Sequence, residues 1–342
     1  MGDPAGISPE LAAKLLSQSD IREAAKIVIF GDGRILEGGA KVAGVALDID
    51  VVSAEGMVPS EAKQPVLVDL RNLSPADVTP GAATLAGGQF ATDNFRRALR
   101  YAESGKAQAV VFTPFNKKAM RLAYPGYDDE IRFIADVLKI DSPAREFNVL
   151  DALWNARVTS HIPLSAVAAA ISKDAILRNL ALADTCMRAA GFARPRIAVA
   201  GLNPHAGDGG NFGREEIDVI EPAVREAVEQ GYATEGPFPA DTVFLRAQRG
   251  DFDAVLTMYH DQGQIAMKLM GFDRGVTLVG GFPFPICTPA HGTAYDIVGR
   301  GVANIGATRQ AMLLAIRMAS QAAINTSPHA STPPREAVGM IR

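Results

Sequence analysis

Short apolar runs closed by glycine or polar turns alternate along the chain with longer stretches whose apolar residues recur every three or four positions. Runs at 26–30, 48–52, 65–69, 109–112, 155–158, 196–200 and 253–258 have the length and bounding turns of strands. The helical period appears at 82–104, 130–138, 166–170, 175–190 and 307–325, and another helix begins near 215. Ser8 is the expected cap of a first helix, with Pro9 at its first position. Strands alternating with helices predict an α/β fold on largely parallel, doubly wound sheets. The helix at 175–190 keeps Ile176, Leu180, Cys186 and Met187 among alanines, so Cys186 reads as a small buried apolar residue.

The turns that follow these strands hold the candidate chemistry. The run at 196–200 enters the glycine-rich turn Gly201-Leu202-Asn203-Pro204-His205-Ala206-Gly207. Thr159-Ser160-His161-Ile162-Pro163 follows the run at 155–158, and Tyr259-His260-Asp261-Gln262-Gly263 follows the run at 253–258. Neutral imidazole binds zinc and similar divalent ions, and three imidazoles leave coordination positions open for a substrate. Taken singly, each histidine is as readily a loop or capping residue. Three at equivalent strand ends favour a common site.

Length and charge narrow the class. With 342 residues, the chain is long enough for two domains or one large α/β unit. A net charge of −4 at 48% hydrophobic and 21% charged content excludes a basic nucleic-acid binder. The two cysteines, Cys186 and Cys287, provide no disulfide framework, which points to a reducing cytoplasm. The longest uncharged stretch, 275–290, is broken by glycines and prolines and cannot span a membrane, and the N-terminus lacks the basic and apolar regions of a signal peptide.

These three histidine segments, with Gly2-Asp3-Pro4-Ala5-Gly6-Ile7-Ser8-Pro9-Glu10, Pro239-Ala240-Asp241-Thr242 and His291-Gly292-Thr293-Ala294-Tyr295-Asp296, resemble the 4-hydroxythreonine-4-phosphate dehydrogenase (PdxA) family. They occur in family order over nearly the whole chain. The resemblance implies an isocitrate/isopropylmalate dehydrogenase-like fold of two α/β/α domains. Residues 1–125 with 275–342 would bind cofactor, and 126–274 would bind metal and dimerise. It further implies NAD or NADP and a divalent metal, with zinc preferred over magnesium, manganese or cobalt. His161, His205 and His260 would be the ligands, at a site shared between two subunits of a homodimer. The family's short apolar strand ahead of the first turn has no counterpart in this sequence.

Other roles carried over are catalytic or substrate contacts at Lys117 and Lys268 and a positioning or capping role at Asp241. Residues His291, Gly292, Thr293, Ala294, Asp296 and Asn304 resemble the adenosine-binding loop of isopropylmalate dehydrogenases; Arg300 nearby could meet a 2′-phosphate. No Gly-x-Gly-x-x-Gly fingerprint follows a strand.

The substrate positions depart from the family. Tyr127, Asp128, Asp129 and Glu130 stand where it usually reads His, Thr and Glu, Thr277 stands for an Asn, and Ile286 for an Arg. A carboxylate about 5 Å from a phosphate charge costs roughly 3 kcal/mol at an effective dielectric near 20, or about a hundredfold in affinity. Such acids disfavour a phosphate unless they instead cap the helix at 130–138. Ile286 cannot replace a guanidinium as an anion partner.

The expectation is therefore a metal-dependent NAD(P) dehydrogenase that oxidises the hydroxyl of a small hydroxy acid and then decarboxylates the product, as in pyridoxine biosynthesis. One alternative is the oxidation of an unphosphorylated cis-dihydrodiol of an aromatic dicarboxylate. The alternative of another class is a metal- or nucleotide-binding homologue without catalysis.

Overall fold

The computed structural model describes residues 1–141 and 143–326. The segment after Thr326, expected to be loose, lies outside the described residues. The elements run α1 (Ser8–Leu16), α2 (Ser19–Ala24), β1 (Val28–Gly31), α3 (Gly33–Ala43), β2 (Asp50–Ser53), β3 (Val66–Asp69), α4 (Leu85–Glu103), β4 (Val110–Val111), α5 (Lys117–Ala123) and α6 (Glu130–Leu138). They continue with β5 (Arg145–Leu150), β6 (Leu153–Arg157), α7 (Val167–Ala170), α8 (Lys173–Ala189), β7 (Arg196–Ala200), α9 (Glu221–Glu229), β8 (Ala233–Phe238) and α10 (Ala240–Gln248). Last come β9 (Ala254–Thr257), α11 (His260–Gly271), β10 (Val276–Gly280), β11 (Ile286–Pro289) and α12 (Gly306–Thr326). Among the described residues no helix is long and apolar enough to cross a membrane.

Two sheets result. A small parallel one has the order β1-β3-β2, and a larger one has the order β4-β11-β10-β5-β6-β9-β7-β8. Pairing is parallel except at β11-β10, β10-β5 and β5-β6. The α/β class and mostly parallel sheets match expectation, while β5, β8, β10 and β11 are strands that the hydrophobic pattern did not single out. The larger sheet draws strands from both segments expected as separate domains.

Side chains alternate across the pleat, so each face of the larger sheet has its own cover. Phe147, Trp154, Ile197, Val199 and Leu256 pack on one face against Ile176 and Leu180 of α8, Val224 of α9 and Leu314 of α12. On the other face, Val279 and Ile286 meet Phe95 of α4 and Phe133 of α6. Further along that face Ala198 and Val255 meet Val243 and Phe244 of α10 and Met267 of α11. Cys186 is buried in the first of these cores, and burial pushes its thiol up to about 12.

Two local expectations are corrected. Ser8 is inside α1, not its cap; Ile7 takes the cap position, and the Ser8 hydroxyl donates to the Pro114 carbonyl at 2.7 Å. Asp241 does not cap α10, whose cap residue, Pro239, has no side-chain bond to offer.

Candidate active site

Strands β6, β9 and β7 lie side by side and parallel, with Arg157 opposite Thr257 and Val199 opposite Leu256. Their C-terminal ends therefore open on one edge of the sheet, and the loops carrying His161, His260 and His205 leave from it. Cross-bonds hold the three loops together. The Thr159 hydroxyl donates to the Met258 carbonyl at 2.7 Å. Gln262 accepts from the Met258 amide at 2.7 Å and donates to the Gly201 carbonyl at 2.8 Å, tying the end of β9 to the end of β7.

The His205 loop is held from within by a carboxylate. Glu216 is buried and accepts from the amides of Leu202 and Asn203, each at 2.7 Å, and from the Asn203 side chain at 2.9 Å. The turn it supports is left-handed at His205, Ala206, Gly207, Asp208 and Gly209, with φ from 46° to 82°. Such a conformation costs roughly 1–2 kcal/mol at each non-glycine residue, so it persists only where surrounding bonds dictate it. His161 also has a positive φ of 38°.

The rings of His161 and His260 come together with centroids 5.6 Å apart. The His260 Nδ1 bonds the Asp261 carboxylate at 2.7 Å, which leaves Nε2 as its outward nitrogen. His205 instead has Phe212 as its ring neighbour, at 6.1 Å. The donor chemistry fits a divalent ion in part: two imidazoles at this spacing can each reach an ion at about 2.0–2.1 Å. No group of three candidate ligands gathers among the described residues.

Beside this edge lies a buried polar row that the sequence did not reveal. Arg157 donates to Glu146 at 2.8 Å, to Asn148 at 2.6 Å and to Ser160 at 3.1 Å. Gln264 of α11 donates to the same Asn148 oxygen at 2.7 Å. Burial lowers the Arg157 pKa, against the opposing pull of Glu146.

The substrate candidates are spread over several elements. Tyr127 is buried, and its phenol is pushed up by burial first and then by the charge of Glu130. Asp128 is exposed, whereas Asp129 caps α6 by accepting from the Arg132 amide at 2.9 Å. Thr277 pairs with Asn148 across the β10–β5 ladder. Ile286 is fully buried in the core, where it pairs with Val279. Lys117 begins α5, Lys268 is in the last turn of α11 and Asp241 is in the first turn of α10; all three are exposed.

The expected nucleotide loop docks on the N-terminal turn. The Ile7 amide donates to the Thr293 carbonyl at 3.0 Å, and the Tyr295 hydroxyl bonds the buried Asp3 carboxylate. Burial raises the Asp3 pKa, and the Tyr295 bond opposes that rise. A Cβ on Gly6 would lie 2.6 Å from the Thr293 oxygen, so the two segments meet only because Gly6 has none. Glu10 accepts from the Ala303 amide at 2.9 Å, and Lys14 donates to the carbonyls of Gly301 and Ala303 at 2.9 and 2.8 Å. Ala294 is left-handed, with φ 45°. His291 bonds the Gly292 carbonyl at 3.1 Å, and Asn304 accepts from the Gly306 amide at 2.7 Å. Asp296 is exposed beside them.

Residues 23–315 match the family described as "Pyridoxal phosphate biosynthetic protein PdxA". This chain belongs to the PdxA family. A PdxA relative from Rhizobium meliloti strain 1021, provisionally named 4-hydroxythreonine-4-phosphate dehydrogenase 2, is 65% identical over 94% of this chain and 92% of its own length. The crystal structure of a 4-hydroxythreonine-4-phosphate dehydrogenase from Klebsiella pneumoniae superposes with a TM-score of 0.79 at 33% identity, covering 93% of this chain and 96% of that one. A terephthalate 1,2-cis-dihydrodiol dehydrogenase from Burkholderia xenovorans LB400 gives 0.60 at 29%, over 94% and 96%. As a PdxA-family member the chain is an NAD(P)-dependent dehydrogenase acting on a CH–OH group, a class that generally uses a divalent metal.

Proposed function

We propose that the chain oxidises the secondary hydroxyl of a small, metal-chelating hydroxy acid with NAD(P), and that the resulting keto acid then loses CO2. The observation that carries this reading is the shared edge of β6, β9 and β7, where His161 and His260 face each other and the His205 loop is tied alongside. In this reading His161, His205 and His260 hold the ion, with one donor coming from a second subunit. When bound, a divalent ion there lowers the pKa of the substrate hydroxyl and stabilises the enolate left by CO2.

The chain's own groups supply the rest. Asp261 fixes the tautomer of His260 by accepting at Nδ1. Lys268 and Lys117 balance the substrate's anionic groups. Asp241 lies on α10, which packs against the His205 turn, and in this reading it orients that ligand or takes a proton. The loop from His291 to Asp296, with Asn304, cradles the nucleotide against the Gly2–Ile7 turn. We take residues 1–125 with 275–342 as the cofactor-binding unit and 126–274 as the metal-binding and dimerising unit, in a cytoplasmic homodimer. Support for the dimer comes from α11 and its cap residue Phe272: Ile265, Leu269 and Phe272 share a face and are exposed, Leu269 by 84%.

For substrate, the names of the relatives favour 4-hydroxythreonine 4-phosphate, the substrate of pyridoxal phosphate synthesis, or a similar phosphorylated acid. A second reading rests on Ile286 and on the acids around Tyr127: an unphosphorylated cis-dihydrodiol of an aromatic dicarboxylate needs no guanidinium at that position. Nicotinamide reduction should be followed with both substrates, each with and without chelator, in wild type and His260→Ala. Turnover of one substrate that chelator and His260→Ala both abolish supports the reading. Full activity of His260→Ala at wild-type metal content would overturn the ligand assignment, and cofactor binding with no turnover of any hydroxy acid would favour a non-catalytic homologue.

A further inference from the structure

The Tyr127 hydroxyl is buried and has no hydrogen-bond partner among the described residues. Such a group lowers stability unless something outside the chain satisfies it, and a phenylalanine would fill the same space without that cost. The Tyr127 ring packs in a cluster with Phe133, Val279 and Ile286, its centroid 6.3 Å from that of Phe133. The oxygen is thus the part of this side chain that the apolar core does not use.

Strand register places a carboxylate beside that cluster. Ile286 pairs with Val279 and Val279 with Glu146. Phe147 faces the opposite side of the sheet, so Glu146 and Asn148 share the side that carries Tyr127. After burial, the charges of Glu130 and Glu146 are among those that push the Tyr127 phenol up. Glu146 gives Oε2 to Arg157 and keeps 16% of its side chain exposed, against 2% for Arg157, which leaves Oε1 for a ligand. Arg157 also bonds Ser160, the residue before His161, and shares the Asn148 oxygen with Gln264. Gln264 lies one turn beyond His260 on the same face of α11. The polar row therefore leads from the two histidines towards Tyr127.

Charge decides what the far end of the row can hold. Arg157 and Glu146 cancel as a pair, and the guanidinium is already committed to three acceptors. A phosphate there would face Glu130 and Glu146 without a free cation, and an ammonium would find Glu146 already shared with Arg157. A neutral hydroxyl suits both groups, since it can donate to Glu146 Oε1 and accept from the Tyr127 hydroxyl. We propose that Tyr127 and Glu146, the latter held by Arg157, form a subsite for a free hydroxyl at the end of the substrate remote from the histidines, so that the substrate is an unphosphorylated polyhydroxy acid. The proposal rests on the dehydrogenase reading above and narrows its substrate.

The test compares the four-carbon acids threonate and erythronate with their terminal phosphate esters and with analogues that carry hydrogen in place of the terminal hydroxyl. Initial rates and calorimetric binding are measured for each. Wild type should prefer a free acid to its phosphate and lose at least about tenfold in kcat/KM when the terminal hydroxyl is removed. Tyr127→Phe should raise KM for the free acid about tenfold, change kcat less and no longer tell hydroxyl from hydrogen, with stability to urea equal to wild type or higher. A merely structural tyrosine would leave KM and that discrimination in place. Glu146→Gln leaves the Arg157 charge unopposed and should shift preference towards the phosphates about tenfold; Tyr127→Phe carries the test alone if that variant does not fold. Preference of wild type for the phosphates, or an unchanged KM and discrimination in Tyr127→Phe, would overturn the proposal. Turnover only of 4-hydroxythreonine 4-phosphate or of a cis-dihydrodiol would overturn it too while the dehydrogenase reading stands. Turnover of none of these compounds would defeat the dehydrogenase reading instead, and calorimetry would then decide the subsite: free-acid binding that Tyr127→Phe weakens about tenfold supports it, and binding that is absent or unchanged overturns it.

Discussion

In the proposed site His260 is oriented by one neighbour. The Asp261 carboxylate holds Nδ1, so the ring presents Nε2 outward in a single tautomer. Asp261→Asn should weaken divalent-ion affinity about 10- to 100-fold with little change in stability, as measured by titrating the apo protein with zinc. Arg157 is the opposite case, a charge kept from water by its partners. Glu146→Ala removes the carboxylate and strands the guanidinium, at a cost of about 3–5 kcal/mol that urea unfolding would read. The histidines were legible in the sequence because each follows an apolar run by a few residues. Arg157 and Glu216 were not, because their partners lie elsewhere in sequence and a charged residue in a strand or helix reads as a solvated face until burial is known.

Elements were legible where pattern and environment agree. β7 runs from Arg196 to Ala200 and α6 from Glu130 to Leu138, both as the pattern predicts. β5 alternates Arg145, Glu146, Phe147 and Asn148, and its polar face is buried on the Arg157 row, so it lacks a plain apolar signal. β8 contains Gly236 and Pro237, which read as a turn. β10 and β11 lie within an uncharged stretch where glycine and proline hide the boundaries. The contact of α1 with the 301–303 backbone was equally hidden, because it joins opposite ends of the chain. It carries its own prediction: Lys14→Met removes a charged donor from two carbonyls of that loop and should raise KM for the nicotinamide cofactor roughly tenfold while leaving kcat nearly unchanged, as initial rates would show.

At the scale of the whole molecule, α11 carries His260 as its first residue and the exposed Leu269 near its last, so one helix bears both a histidine of the pair and an apolar surface. On the proposed homodimer, Leu269→Lys should yield a monomer in analytical ultracentrifugation and reduce turnover with it. The buried end of the chain gives a second prediction, for a protein that starts at Met1. Its folded amine pKa of about 5 lies below the ordinary 8.0, so between these values the unfolded state binds more protons. The contribution to stability is complete above pH 8 and is lost as pH falls through this window, by about 4 kcal/mol at most. Urea unfolding between pH 8 and pH 5 would show the loss, and residues ahead of Met1 would abolish it.

The seating of residues 1–3 between β1 and β4 also bears on how the protein is handled at the bench. The Met1 nitrogen bonds the Phe30 carbonyl of β1 and the Gly2 amide bonds the Thr113 hydroxyl beyond β4, so a purification tag or protease scar fused directly to Met1 would start between these strands and not in open solvent. A histidine-rich or lysine-rich leader would then lodge charges where the surroundings offer peptide groups and hydrocarbon. Poor yield or a dead preparation would report on the leader, not on the enzyme, and the same chain labelled elsewhere would be the fair comparison.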